Sequence, residues 1–166
     1  MSTIEAPSPW LRRNLFAVWL PTLLWLLVLT GFSTDTFSAE HTGSILWKII
    51  HALYGGMSEQ AFEKLHFLVR KSAHFLSYGF LSALAFFSWR ATLPDPRQWT
   101  LRWSILACLV TLGGGSLDEF HQRFVPSRTS DVRDVLLDTV GAICFQMAIA
   151  FFIRRKERRN GLTSQT

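Results

Sequence analysis

Two short polar blocks interrupt an otherwise apolar sequence, and they hold the side chains best suited to chemistry. The first block runs from Arg70 to Phe75, and the second runs from Asp118 to Asp138. Both adjoin stretches that are apolar enough to enter a bilayer. Because charge within hydrocarbon is costly unless it is paired or hydrated, these two blocks predict a site.

Three segments carry polar residues at spacings that place them on one helix face each. They are Lys71, His74 and Tyr78 on the first segment, Asp118, Glu119 and Gln122 on the second, and Asp131, Asp134 and Asp138 on the third, which Gly141 extends. Residues three, four and seven positions apart share a face of an α-helix. One common pocket, open to the extracytoplasmic side, would satisfy these groups better than three separate exposures to lipid.

The residue types in this predicted pocket suit proton transfer and anion binding. We expect His74, Glu119 and Asp138 to act as catalytic acid–base groups, because imidazole and carboxyl groups commonly carry protons in enzymes. The side chains expected to bind a ligand are Lys71, Tyr78, Asp118, Gln122, Arg128 and Asp134. Arg128 follows Pro126 and Ser127 in a loop and suits a bidentate contact with phosphate, although a loop arginine pairs equally often with Asp or Glu.

The charges of the two blocks nearly cancel, which leaves a purely structural interpretation open. Five acids oppose five bases: Asp118, Glu119, Asp131, Asp134 and Asp138 against Arg70, Lys71, Arg123, Arg128 and Arg133. Such a balance fits a salt-bridge network that only holds helices together. The additional imidazole, phenol and amide favour a site, because simple pairing needs only opposite charges.

Other ligand classes have weaker support in the sequence. His74 and the carboxylates offer metal ligands without a diagnostic spacing, so we predict neither a metal nor a cofactor. A net charge of +5 does not indicate nucleic acid, because the basic residues flank apolar segments instead of forming a stripe with stacking aromatics. Cys108 and Cys144 lie in apolar runs without CxxC spacing and are interpreted as small buried side chains.

Composition and apolar runs predict an all-α protein, a polytopic transmembrane helical bundle. Of the 166 residues, 49% are hydrophobic and 17% are charged. We expect four spans, at about 14–33, 69–89, 103–122 and 135–153, in a single membrane domain over residues 1–166. The apolar part of the third span is shorter than the roughly 20 residues that cross a bilayer. Its helix should therefore continue through Asp118 and Glu119.

The basic residues predict that both termini are cytoplasmic. Ten Lys and Arg residues lie in the segments on the side of the termini, against seven on the other side. Cytoplasmic segments are the ones enriched in Lys and Arg. Most of the seven belong to the two polar blocks, which is consistent with a function for them there.

A further helix is predicted between spans one and two, on the extracytoplasmic face. Apolar residues recur at helical spacing from Ile45 to Leu53, Gly55 and Gly56 then end the pattern, and Ser58 is a plausible N-cap of the next helix. We expect an interfacial or re-entrant helix here.

Three sequence blocks resemble the signature of the VanZ-like family. They are KSAHFLSYGFL from Lys71, SLDEFHQRFVPSR from Ser116, and DTVGA from Asp138, which follows Asp131 and Asp134. The family-pattern positions are Lys71, His74, Phe75, Tyr78, Asp118, Glu119, Gln122, Arg128, Asp134, Asp138 and Gly141. Asp138 departs from the pattern, in which Asn is expected.

The resemblance implies a small multi-pass protein of the bacterial cytoplasmic (inner) membrane. The founding member of the family is linked to low-level resistance to the glycopeptide antibiotic teicoplanin, without altered peptidoglycan termini. The family has no established reaction, so the resemblance leaves open whether this chain is an enzyme.

Two functional hypotheses follow from the pocket. In the first, it binds, or acts on, a lipid-linked or phosphate-bearing molecule of the cell envelope, with membrane lipids and anionic lipid or an envelope precursor as partners. In the second, the protein is a non-enzymatic scaffold, and its polar network only holds the helices together.

Overall fold

Five α-helices form all of the regular secondary structure in the described part of the chain. The computed structural model describes residues 14–34, 39–93, 95, 97–125 and 130–163. The helices are α1 (Leu15–Phe32), α2 (Ala39–Tyr54), α3 (Glu59–Thr92), α4 (Leu101–Gln122) and α5 (Val132–Thr163). The all-α class predicted from the sequence is confirmed.

Local sequence signals set several of the helix ends. The Asn14 side chain caps α1 by accepting a hydrogen bond from the Phe16 amide at 3.1 Å. Gly55 and Gly56 adopt φ angles of +74° and +119°, which favour glycine and end α2. The hydroxyl of Ser58 caps α3. The end of α2 and the start of α3 predicted from the sequence are therefore confirmed.

Helix α4 continues through Asp118 and Glu119 to Gln122, as its short apolar run predicted. Asp131, however, precedes α5 instead of lying on its polar face. Its carboxylate accepts a hydrogen bond from the Arg133 amide at 2.9 Å, the position of an N-cap side chain. Helical spacing alone could not show this, because the same spacing fits a residue just before the first turn.

Helix α3 is the centre of the bundle and packs against each of the other four helices, most extensively against α5. Contacts of Thr22 with Ser88 and of Trp25 with Ser77 show that α1 runs antiparallel to α3. Helix α5 runs parallel to α3, with α4 antiparallel to both. With 34 residues, α3 is about 51 Å long at ~1.5 Å per residue. It therefore exceeds the ~30 Å of hydrocarbon in a bilayer.

Helix α2 folds back along the first turns of α3. The Thr42 hydroxyl and the His66 ring are hydrogen-bonded at 3.2 Å, and the Trp47 ring meets the Phe62 ring edge to face at 4.9 Å. The two helices thus form an antiparallel hairpin before α3 enters the bundle.

The bundle is apolar outside and partly polar inside. Large hydrophobic side chains are exposed along all five helices, whereas Thr22, Ser82, Thr111 and Asp138 are almost completely buried. Such extensive apolar exposure marks a surface that a membrane or a partner protein covers. Two described helical segments, Leu15–Phe32 and Val132–Asn160, are long and apolar enough to cross a membrane.

The two cysteines differ in how far they are exposed. Both are free, and Cys108 is half-buried, but Cys144 is exposed. The expectation that both are buried was wrong for Cys144, because the side chains of an apolar run in such a helix face outward as readily as inward.

Helices α3 and α5 approach each other closely at Gly141. A Cβ atom there would lie 2.4 Å from the backbone oxygen of Phe75. Only glycine fits this approach, and small residues at helix contacts let backbones come this close. About three turns further along α3, Ala85 and Phe86 pack with Trp103 and Ala107 of α4 in an apolar cluster.

Replacing Gly141 by alanine should destabilise the protein, because the methyl group meets backbone that cannot rotate away. We expect the free energy of unfolding to fall by about 1–3 kcal/mol, as in overpacked cores. Thermal unfolding in detergent measures the change. The matched control is Gly113→Ala on α4, where a Cβ atom meets nothing within 4 Å. Equal melting temperatures for the two variants would show that this close contact is not needed.

Candidate functional site

Two pairs of a basic and an acidic side chain join α3 to α5. The Lys71 ammonium group bonds the Asp134 carboxylate. One turn further along, His74 Nδ1 lies 3.3 Å from Asp138 Oδ1. Asp134 is 8% exposed and Asp138 only 1% exposed, so each carboxylate depends on its partner from α3. The polar faces predicted for these two helices thus meet.

His74 Nδ1 and Asp138 Oδ1 lie within ion-pair distance, but their geometry is not that of a hydrogen bond. Neither His74 Nδ1 nor Asp138 Oδ1 has a hydrogen-bond partner in the part of the chain that the structure describes. The His74 ring stacks on the Tyr78 ring, with centroids 6.1 Å apart and planes 11° apart. Gly115 of α4 leaves room for the carboxylate, since a Cβ atom there would lie 3.2 Å from Asp138 Oδ2.

A cavity of about 260 Å³ opens beside this pair, between α1, α3 and α4. Its α1 wall contains Leu29, Phe32 and Ser33. The facing polar wall consists of Arg70, His74, Tyr78, Asp118 and Gln122. The Gln122 amide donates to Asp118 Oδ2 at 2.9 Å, which fixes that carboxylate on the last turn of α4.

A second cavity, of about 320 Å³, lies on the other side of α3 and shares two residues with the first. Arg70 and His74 line both cavities. The second is completed by Glu63, His66, Phe67, Lys71, Asp131 and Asp134. Burial lowers the pKa of His66, and the nearby charge of Arg70 lowers it further, which favours the neutral imidazole in this wall. We call the two cavities together the polar cleft.

Arg70 is the half-buried cation at the junction of the two cavities. No carboxylate of a described residue forms an ion pair with it. Lys71, by contrast, is held by Asp134. Arg70 therefore has a charge available for a ligand.

Glu119 is part of the support of the cleft instead of its lining. Its Oε2 atom accepts a hydrogen bond from the Asp131 amide at 2.8 Å, which ties the end of α4 to the start of α5. Its Oε1 atom is buried and has no hydrogen-bond partner among the described residues.

The remaining basic residues of the predicted pocket separate in the structure. Arg123 and Arg133 are exposed and line neither cavity. Arg128, expected to bind a ligand, lies outside the described residues.

Three buried polar residues were not singled out by spacing. Ser33 lines the first cavity, and Gln146 donates to both the backbone oxygen and the hydroxyl of Ser82, at 3.0 and 2.8 Å. Gln146 lies eight residues after Asp138, which places both on one helix face. An amide at that position in an apolar run was the available signal.

A cluster suited to metal binding is not found in the described ranges. No group of three or more His, Cys, Asp and Glu side chains there could hold a metal ion. The geometry that is present suits recognition of an anion by Arg70 and orientation of the His74 ring by Asp138.

Comparison with known proteins identifies one family. A family model described as VanZ/LLP1 matches residues 16–153, well over half of the chain. The match covers α2, α3 and α4 completely and most of α1 and α5. No curated protein and no solved structure matches.

If the Lys71 and Asp134 pair holds α3 against α5, the two residues should be energetically coupled. A double-mutant cycle of Lys71→Ala and Asp134→Ala should give a coupling energy of about 0.5–3 kcal/mol, the range for contacting residues. Unfolding in detergent of the wild type, both single variants and the double variant measures it.

The exposed pair of Arg97 and Asp95 is the control for that cycle. Two hydrogen bonds from the Arg97 side chain, each 2.9 Å long, lower the pKa of Asp95 to about 2. Because water screens this pair, its coupling should be smaller than that of Lys71 and Asp134. Additive effects of Lys71→Ala and Asp134→Ala would contradict a structural pairing.

Proposed function

The chain belongs to the VanZ/LLP1 family, and from that premise we propose that its polar cleft binds the anionic group of a lipid-linked or phosphate-bearing envelope molecule. One observation carries the proposal. The half-buried guanidinium of Arg70 lies at the junction of both cavities and forms no ion pair with a described residue. Guanidinium groups bind phosphate and carboxylate bidentately and strongly.

The shape of the first cavity supports an amphiphilic ligand. Leu29 and Phe32 form an apolar wall opposite Arg70 and His74. A purely polar solute would leave the apolar wall without a partner, and a hydrocarbon would leave the cation without one. A molecule with an anionic head and an apolar tail satisfies both walls.

We further propose that α1, α3, α4 and α5 each span the cytoplasmic membrane, with both termini inside. Successive members of this set run in opposite directions, as consecutive spans must. The excess of Lys and Arg at the ends of the chain supports the orientation. The cleft then opens on the extracytoplasmic side, where envelope precursors and lipid headgroups are found.

The chemistry available beyond binding is proton transfer. Asp138 Oδ1 lies 3.3 Å from His74 Nδ1, on one edge of the imidazole ring, which leaves Nε2 on the other edge for a ligand. A positioned imidazole is the commonest general acid or base in proteins. Asp138 and Tyr78 would act by orienting the ring, and Glu119 by holding the α4–α5 connection.

A scaffold function without ligand chemistry is the second candidate, and the two α3–α5 pairs favour it. Lys71 with Asp134 and His74 with Asp138 stabilise the bundle whether or not a ligand binds. Arg70 separates the candidates, because a residue without such a pair contributes little to a scaffold.

Mass spectrometry of copurifying lipids and small molecules tests the binding proposal. Wild-type protein should retain an anionic envelope molecule that Arg70→Gln and Arg128→Ala variants of equal melting temperature lose. Arg90→Gln is the matched control, because Arg90 lies near the other end of α3, where it donates to Gln98. The same bound molecules in Arg70→Gln as in wild type would favour the scaffold.

The same variants connect the cleft to a cellular phenotype. Tolerance to glycopeptides such as teicoplanin is part of the proposal. It should decrease in cells that express Arg70→Gln, but not in cells that express Arg90→Gln at equal level.

Cysteine labelling tests the topology. In a Cys108→Ala, Cys144→Ala background, Tyr54→Cys and Arg123→Cys should react with a membrane-impermeant maleimide in intact spheroplasts. Lys156→Cys should react only after permeabilisation, because it lies in the basic C-terminal segment. All three positions are exposed, so access depends on the membrane. Labelling of Lys156→Cys in intact spheroplasts would refute the proposed orientation.

A further inference from the structure

A groove between α1 and α4, which we call the α1–α4 seam, lies next to the polar cleft. Helix α1 packs along α3 but makes only marginal contact with α4 in the described part of the chain. We define the α1–α4 seam by Leu26, Leu29 and Phe32 on α1 and by Gly114 on α4. Phe32 is 44% exposed.

Gly114 keeps the α4 side of the seam shallow without being required for helix packing. A Cβ atom there would lie 3.4 Å from Leu26 Cδ2 and 3.6 Å from Leu81 Cδ2, which are ordinary contacts. Alanine would therefore fit, and glycine within a helix is less stable than alanine. Its neighbour Gly115 differs, because that position makes room for Asp138. The absence of a side chain at Gly114 leaves room for a methyl group between α4 and Leu26.

The seam is continuous with the polar cleft. Leu29 and Phe32 belong both to the seam and to the wall of the first cavity. On α4, Asp118 lies one turn beyond Gly114 on the same face and lines the same cavity. The seam and the first cavity thus share part of their α1 wall, and the partly exposed Phe32 side chain lies on that shared wall.

Ser33 provides an independent sign of a ligand at the head of this path. It lines the first cavity and is only 3% exposed, yet its hydroxyl has no hydrogen-bond partner among the described residues. A buried polar group without a partner is costly. A ligand oxygen in the cavity would provide that partner.

We propose that the ligand is a membrane lipid with a phosphate headgroup, whose hydrocarbon chain lies in the α1–α4 seam. Arg70 and Ser33 then hold the phosphate. Leu26, Leu29 and Phe32 contact the hydrocarbon chain where it passes Gly114. This inference rests on the proposed anion binding and adds the lateral route by which the lipid enters from the bilayer.

Lipid binding by seam and cleft variants tests this inference. Native mass spectrometry of detergent-solubilised full-length protein would count bound dioleoyl phosphatidic acid, bound dihexanoyl phosphatidic acid and bound dioleoylglycerol. The Gly114→Phe variant fills the seam. Gly31→Phe is its matched control, because a Cβ atom at Gly31 meets nothing within 4 Å and the residue lies on the opposite face of α1 from Leu29 and Ser33.

The expected pattern separates the headgroup from the chain. Gly114→Phe should bind the dioleoyl phosphatidic acid about 10-fold or more weakly, the scale of a steric mismatch in an apolar pocket. It should keep its binding of the dihexanoyl lipid, and Gly31→Phe should bind both like wild type. Arg70→Gln should lose both phosphatidic acids, and dioleoylglycerol should bind weakly to all variants.

Two results would overturn the inference differently. Wild-type binding of the dioleoyl phosphatidic acid by Gly114→Phe would refute the seam and leave the anion site intact. Wild-type binding of both phosphatidic acids by Arg70→Gln would refute the anion site and the inference with it.

Photo-crosslinking of the wild type keeps the inference testable if Gly114→Phe does not fold. A phosphatidic acid with a diazirine on its acyl chain should label peptides of α1 and α4 around Leu26 and Gly114. Equal labelling of the outer face of α5, around Phe151, would show only general contact with lipid and overturn the assignment.

Discussion

The close parallel contact of α3 and α5 is the constraint on which the rest of the structure depends. Backbone meets backbone where Gly141 lies against Phe75, so the two helices can have only one register there. That register places Lys71 beside Asp134 and His74 beside Asp138. A shift by one residue would rotate each carboxylate by about 100° and leave it unpaired in an apolar bundle.

The distribution of polarity explains why these pairs matter. The exterior of the bundle is apolar, and several of its most buried side chains are polar or charged. In a phase without water, polar groups are stable only when they face one another or a hydrated cavity. The polar cleft, the Gln146–Ser82 contact and the Thr22–Ser88 contact are among the arrangements by which this bundle meets that requirement. The buried hydroxyl of Ser33 is one of the places where the requirement is met incompletely.

Much of the fold followed from local patterns, and so did part of the candidate site. Gly55, Gly56 and Ser58 marked the ends of helices, and the short apolar run before Asp118 implied that α4 continues through it. The shared faces of Lys71 with His74 and of Asp134 with Asp138 also followed from spacing. The role of Asp131 as a cap and the exposure of Cys144 did not, because neither spacing nor hydropathy shows where a helix starts or which apolar face is covered.

The sequence by itself determined the helical class, the family and the polar residues available to each helix, because helix formation and helical periodicity depend on neighbours within a few positions along the chain. Only the tertiary structure decided which of these residues meet. Packing placed Arg70 at the junction of two cavities, turned Arg123 and Arg133 outward, and left the seam beside Gly114. These outcomes depend on the rotation and register of helices that are distant in the sequence, which close packing fixes and local spacing does not.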